Sequence, residues 1–406
     1  MSNVTRWLVF SEVAVAFRGL EAPRSAAVSA IRLPATGEPA GTTEWLTYDE
    51  VVADQILGWD QAGQAPDRHQ TFPTPRAVFT GLPFDRRTGD LYRLQSEPIT
   101  PAGGRVVPTF LVAEWPGDGG VERAVYSCSR IRESGMLFSR IWAGPVPAGE
   151  PLVRSVEHAC LHEPGLLARF SDEASQTVRF DADTEIELKL SMLDDTVPWE
   201  VAHRLADAVQ RRALPGFVPD LGNEMQRWTY EQETFEVVGP PERAGYIAFM
   251  TAHDGTYEVK YKFFAEDTLR RFERCVEGVV LEPSQFEDHI RESVPGAELR
   301  PLPHMRRTRF DVNVESARGG HYFGLEMDEV WSEGSVLRQL EIEYHKSRAA
   351  FGVVAETVEP ELFRLSEEVQ RLLTEWGIKV EVGYLSKLSF LKGVAGGAVS
   401  GAETGR

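Results

Sequence analysis

Hydrophobic and polar positions alternate with a period of two through much of this chain, in short runs set off by Gly and Pro, which predicts strands more often than helices. In the first half, segments at 7–17, 26–33, 105–114 and 122–127 predict strands, and 49–59 predicts a short helix. The texture changes near residue 180. Strands are expected over 178–192, 228–238, 245–253, 256–264, 308–315, 322–331, 336–344 and 378–384. Helical spacing places Val201, Leu205, Ala208 and Val209 on one face, after a cap at Asp195 or Thr196 and with Pro198 in the first turn. It also groups Leu269, Phe272 and Val276 over 267–278. A third helix, 360–376, carries Leu362, Leu365, Val369, Leu372 and Trp376 and ends at Gly377. The stretches 213–223 and 283–304 read as long loops, and 393–406 as a small, polar, disordered tail.

Strands that follow one another without a helical crossover favour an antiparallel sheet, able to close on itself, over a doubly wound parallel one. The expected class is α+β, with a β-rich unit over 1–176 and a second unit over 177–392.

Composition narrows the function. Among 406 residues, 62 Asp and Glu face 43 Lys and Arg, a formal charge of -19. That balance argues against a broad nucleic-acid surface, which needs clustered cations, but leaves room for a small anion in a local basic pocket. Cys128, Cys160 and Cys275 are odd in number and far apart, so a reducing compartment is expected. Arg6, Glu12 and Arg18 interrupt the opening segment, and no apolar run approaches the roughly 20 residues that span a bilayer. A cytoplasmic protein without a membrane partner is the expectation. Self-association is left open. Cys275 and the dispersed tryptophans, Trp199 and Trp376 among them, read as core.

The charges of the second half follow the strand period. Residues two apart share a face, so Glu185, Glu187 and Lys189 lie together opposite Ile186, Leu188 and Leu190. The same spacing pairs Lys260 with Lys262, Arg307 with Arg309, Glu326 with Asp328, and Glu341 with Glu343. Each alone is the ordinary solvated face of a strand. As a set they raise an electrostatic question. Carboxylates about 6.5 Å apart repel by about 2.5 kcal/mol at an effective dielectric near 20. Enclosed in a barrel, the acidic pairs would need cations, and their oxygens suit Mg²⁺ or Mn²⁺ while the basic pairs hold phosphate.

The run Glu185-Ile-Glu-Leu-Lys189 resembles the ExExK signature of the CYTH proteins, or triphosphate tunnel metalloenzymes. Basic pairs and then acidic pairs follow in that family's order, and Ser386-Lys387 resembles its C-terminal lysine element; the resemblance spans about 178–392. It implies an eight-stranded antiparallel barrel whose tunnel binds a triphosphate with Mg²⁺ or Mn²⁺. By position, Glu185, Glu187, Glu341 and Glu343 would bind metal, and Lys189, Lys260, Lys262, Arg307, Arg309 and Lys387 would hold phosphate. Glu326 and Asp328 would join Glu185 and Glu187 in supporting the metal or a water. The implied activity is hydrolysis of a small triphosphate or polyphosphate; the alternatives are ATP cyclisation or diphosphate elimination in the same tunnel, and a non-catalytic polyphosphate- or nucleotide-binding module. Nothing in the sequence marks a pocket for an organic group.

A second resemblance is local. Residues 151–161 faintly resemble the zinc-binding start of GTP cyclohydrolase II, with His158, Cys160 and His162 on one face if extended. That family's paired cysteines are missing from 169–173. A buried cysteine flanked by surface histidines is the reading adopted.

Overall fold

The computed structural model describes residues 4–12, 28–36, 41–47, 55–59, 84–85, 90–91, 106–117, 120–131, 135–162, 177–220, 225–252, 254–348 and 353–396. In the N-terminal part, β1 (Val4–Glu12), β2 (Val28–Thr36), β3 (Thr43–Thr47), β4 (Gln55–Trp59), β5 (Val106–Gly117), β6 (Gly120–Ile131) and β7 (Gly135–Val146) form a curled antiparallel sheet. Its order is β3-β7-β6-β5-β1-β2-β4. The segment read as a helix over 49–59 corrects to strand β4, which pairs with β2; residues 49–54 lie outside the described set, as do 13–17 and 26–27 of the expected strands. Helix α1 (Leu152–His162) lays Leu152, Val156 and Ala159 against Trp7, Phe110, Val125 and Ile141. Positions 158 and 162, four apart on a helix, share a face from which 160 is turned away, which removes the three-ligand geometry of the extended zinc reading.

The second unit closes. Its strands are β8 (Thr184–Met192), β9 (Gln226–Gly239), β10 (Gly245–Thr251), β11 (Tyr257–Phe263), β12 (Arg270–Val279), β13 (Met305–Ser316), β14 (His321–Ser332) and β15 (Ser335–Arg348). They run antiparallel in the order β8-β12-β11-β10-β9-β13-β14-β15. Then β15 returns to β8, from Glu187↔Glu343 to Ser191↔Gln339. Closure leaves no free edge within the barrel. Four further short strands, 177–178, 217–219, 298–301 and 380–383, extend the sheet.

Three expectations correct here. The 267–278 segment is strand β12, not a helix: Leu269, Phe272 and Val276 fit a helical stripe, yet Arg271, Glu273 and Cys275 alternate with them and the backbone pairs with both β11 and β8. The 178–192 strand breaks at Asp181, whose φ of 54° lies in the left-handed region. The long loops hold structure, with strand 217–219 in the first and a helix plus strand 298–301 in the second.

Helix α2 (Pro198–Gln210) has Val197 at its N-cap, a side chain with no acceptor, so the cap expected from Asp195 or Thr196 is not formed; Thr196 donates to Asp194. The helix of the second loop is α3 (Phe286–Ser293). Helix α4 (Val358–Glu375) ends at Gly377, φ 79°. Helix α5 (Lys387–Ala395) occupies part of the expected tail, of which 397–406 lie outside the described residues. Outward-facing Ile186, Leu188, Leu190, Leu325, Met327, Leu340 and Ile342 meet Val201, Leu205, Leu362, Leu365 and Val369 of α2 and α4 in one core. At one end α5 closes the barrel, placing Leu388, Phe390 and Leu391 against Tyr246, Ala248, Met305 and Val330.

Among the described residues, Trp45 and Leu137 of the N-terminal sheet pack with Val218 and Ala317 of the second unit. Thr42 donates from its amide and hydroxyl to Ala317 O, and Trp45 Nε1 donates to Gln210 O at 3.2 Å. No helix of the described residues is long and apolar enough to cross a membrane.

Candidate functional site

The side chains opposite the helix-packed core point into the barrel, because strand faces alternate and one face is already committed to apolar packing. On β8 those are Glu185, Glu187 and Lys189, all at most 2% exposed. Glu341 and Glu343 follow on β15, Glu326 and Asp328 on β14, Arg307 and Arg309 on β13, and Lys260 and Lys262 on β11. Lys387 arrives from the first turn of α5. Every site residue expected from the sequence is thus brought to one lumen.

Two groupings emerge. Around the first, Lys262 Nζ lies 2.5 Å from Glu185 and 2.8 Å from Glu273, and Lys260 lies 3.1 Å from Glu273. Arg271 reaches Glu187 and stands 3.4 Å from Glu185. In the second, Arg309 donates from Nε and Nη2 to Asp328 at 2.8 and 2.9 Å and reaches Glu341 at 2.6 Å. Arg307 lies 3.3 Å and Lys387 2.7 Å from Asp328. Glu341 also receives Lys189 and Lys387.

Environment sorts the carboxyls. Burial alone would raise Glu341, but Lys189, Lys387 and Arg309 outweigh it and hold the group well below the usual range. Asp328 is lowered in the same way by Arg307, Arg309 and Lys387. Glu343 goes the other way: burial first, then the charges of Glu326 and Glu185, push it up to about 7. Burial likewise pushes Lys387 down to about 7 against the pull of Asp328 and Glu341.

Glu343 stands at a junction. It shares with Glu185 and Glu187 a cluster whose carboxylate oxygens lie within 4.8 Å of one another, and with Glu326 and His345 a second such cluster. Glu185 Oε2 and Glu187 Oε1 are buried and meet Arg271 as ion pairs without hydrogen-bond geometry. Gly324 makes room for His345, since a Cβ there would stand 2.7 Å from the imidazole.

Sequence reasoning missed Arg271, Glu273, His345 and Asp311. His345 is two residues beyond Glu343, and Asp311 two beyond Arg309, so continuing each face by one step finds them. Arg271 and Glu273 were hidden by the helical reading of their strand. Cys275, expected in the core, is exposed on that strand.

No protein-family model and no curated relative matches the chain. Among solved structures, the chain is similar to HpAC1 of Hippeastrum, an adenylyl cyclase by designation reported to have a dominant triphosphatase activity. The identity is 16% over 52% of this chain and 96% of that one, with a TM-score of 0.34. The RNA triphosphatase Pct1 of S. pombe, in complex with the Spt5 CTD, shows 11% identity over 52% of this chain and 87% of that one, with a TM-score of 0.23. The di-domain ARO/CYC StfQ of the steffimycin biosynthetic pathway covers 91% of this chain and 96% of its own at 9% identity and a TM-score of 0.15. Identity and superposition are low in all three.

Proposed function

We propose that the barrel lumen is the active site of a metal-dependent phosphohydrolase acting on a triphosphate or related phosphate chain, the activity implied by the CYTH resemblance. The observation that carries this reading is a closed lumen in which Lys189, Lys260, Lys262, Arg271, Arg307, Arg309 and Lys387 interleave with Glu185, Glu187, Glu326, Asp328, Glu341 and Glu343.

The acids fit a divalent cation. Glu185, Glu187 and Glu343 bring carboxylate oxygens within 4.8 Å of one another, and burial followed by the charges of Glu326 and Glu185 pushes the Glu343 carboxyl up. Hard carboxylate oxygens suit Mg²⁺ or Mn²⁺, with Glu341 across the strand pair from Lys189 as the fourth acid of this wall. When bound, such an ion neutralises phosphoryl oxygens and activates a water.

The acids are partners of the Lys and Arg side chains. A phosphate chain offers further acceptors to Lys189, Lys260, Lys262, Arg307, Arg309 and Lys387, and a divalent cation would answer the carboxylates that these side chains release. Asp328 accepts twice from Arg309 and so holds its guanidinium plane in place. Glu326 holds the same arginine and His345. The chemistry is assigned to the unit over 177–392, and the unit over 1–176 is given no catalytic part.

The deciding assay is phosphate release from tripolyphosphate and nucleoside triphosphates with Mg²⁺ or Mn²⁺. The wild type is expected to turn over and Glu185→Ala/Glu187→Ala to be inactive. Equal inactivity of both on every chain tested sinks the hydrolase reading. A cyclic nucleotide or an eliminated diphosphate among the products would replace it with the corresponding lyase chemistry.

A further inference from the structure

The charged lumen accounts for a phosphate chain and leaves open what the chain is attached to. Trp228 bears on this. It pairs directly with Arg309 across β9 and β13, as Tyr230 does with Arg307, so both aromatic side chains share the lumen face with the arginines. Arg307 Cζ lies 4.5 Å over the Tyr230 ring. Trp228 is 49% exposed, a large apolar surface left in water beside buried charges. It also departs from the expectation that the tryptophans are core.

Polarity along the barrel sets which part of a ligand reaches this wall. Helix α5 fills one end with Leu388, Phe390 and Leu391. Trp228 lies toward the other end, in the stretch of β9 that pairs with Asp311 through Gln226. A substrate whose phosphates sit on Arg307 and Arg309 therefore projects its remainder past Trp228. On β13, two and four residues beyond Arg309, Asp311 Oδ1 and Asn313 Oδ1 are buried without hydrogen-bond partners. Both are acceptors. A bare phosphate chain consists of acceptors itself and cannot satisfy them, whereas N–H or O–H groups can.

We propose that Trp228 and Tyr230 form the wall that receives a flat ring, and that Asp311 and Asn313 accept from its donor groups. This selects an organic triphosphate built on a nitrogen heterocycle over inorganic tripolyphosphate. The proposal rests on the hydrolase reading for the phosphate end only. Stacking of a heterocycle on the indole face is sequence-tolerant and worth about a ten- to hundredfold change in affinity on truncation to alanine.

The test compares wild type, Trp228→Ala and Trp228→Phe on ATP, GTP, thiamine triphosphate and tripolyphosphate, with Mn²⁺ present. Trp228→Ala is expected to lower the ratio of kcat/KM for the preferred organic triphosphate over tripolyphosphate by about ten- to hundredfold. Trp228→Phe should restore most of that ratio. Asn313→Ala should lower the same ratio for whichever ring is preferred, and the ATP, GTP and thiamine arms identify that ring. A ratio unchanged in Trp228→Ala overturns the proposal, and so does a loss shared equally by tripolyphosphate. Should the wild type release no phosphate from any chain, the hydrolase reading fails by itself. Calorimetry with β,γ-methylene ATP against tripolyphosphate then decides the ring wall, which requires weaker binding of the analogue to Trp228→Ala and is overturned by equal binding.

Discussion

Two buried ionic sites can be compared in this molecule. Where the N-terminal sheet meets the barrel, Arg348 reaches both oxygens of Glu315 at 2.5 and 2.8 Å, and Thr43 Oγ1 donates to the same carboxylate at 3.2 Å. Both Glu315 oxygens are answered. In the lumen, charges are as deeply buried, but each is shared: Glu341 meets Lys189, Arg309 and Lys387, and Glu343 is pushed up by burial and then by the charges of Glu326 and Glu185. Burial and charge alone do not distinguish the junction from the lumen. Crowding of like charge does: one acid meets one base at the junction, whereas Glu185, Glu187 and Glu343 bring carboxylate oxygens within 4.8 Å of one another in the lumen, an arrangement that a divalent cation would relieve.

Three substitutions would break or sharpen this contrast. The largest effect belongs to Arg348→Ala, which strands Glu315 at the junction and should cost about 3–5 kcal/mol in urea unfolding while turnover per folded molecule stays constant. A loss under about 1 kcal/mol would mean that the junction does not depend on the pair. Next, Arg309→Lys keeps the lumen charge but loses the paired donation to Asp328. It should lower kcat/KM on the preferred triphosphate about a hundredfold with little change in Tm. A fall in Tm matching that of Arg348→Ala would place Arg309 with the structural pairs.

The smallest effect is a pH slope. Glu343 holds its proton to about 7 when folded, against 4.5 for an ordinary glutamate. Between those values the folded state binds more protons than the unfolded state, so stability falls as pH rises through the window. Glu343→Gln should remove this slope in Tm measured without divalent metal. Parallel curves for variant and wild type would show that Glu343 is not under strain.

Much of the lumen was legible because strand side chains repeat every two residues. Glu185, Glu187 and Lys189 had to share a face once Ile186, Leu188 and Leu190 took the other. Where two periods fitted the same residues, the reading failed. On β12, Phe272 and Val276 satisfy a helix spacing as readily as a strand one, and the choice was made by β11 and β8 on either side. Trp228 gave no local signal, since polar residues flank it on both faces of β9 from Gln226 to Glu233.

The alternation of charge and apolarity along the chain determined that the protein would be built of amphipathic antiparallel strands with acids and bases on the face opposite the core. Whether that face met water or an enclosed lumen was decided only by the tertiary structure. Closure depends on β8 pairing with both β12 and β15, contacts between segments more than eighty residues apart. A local pattern carries the direction of a side chain, because direction follows from the backbone of its own strand. It does not carry the identity of the opposite wall, and it is that wall which brings Glu185, Glu187 and Glu343 within reach of one ion.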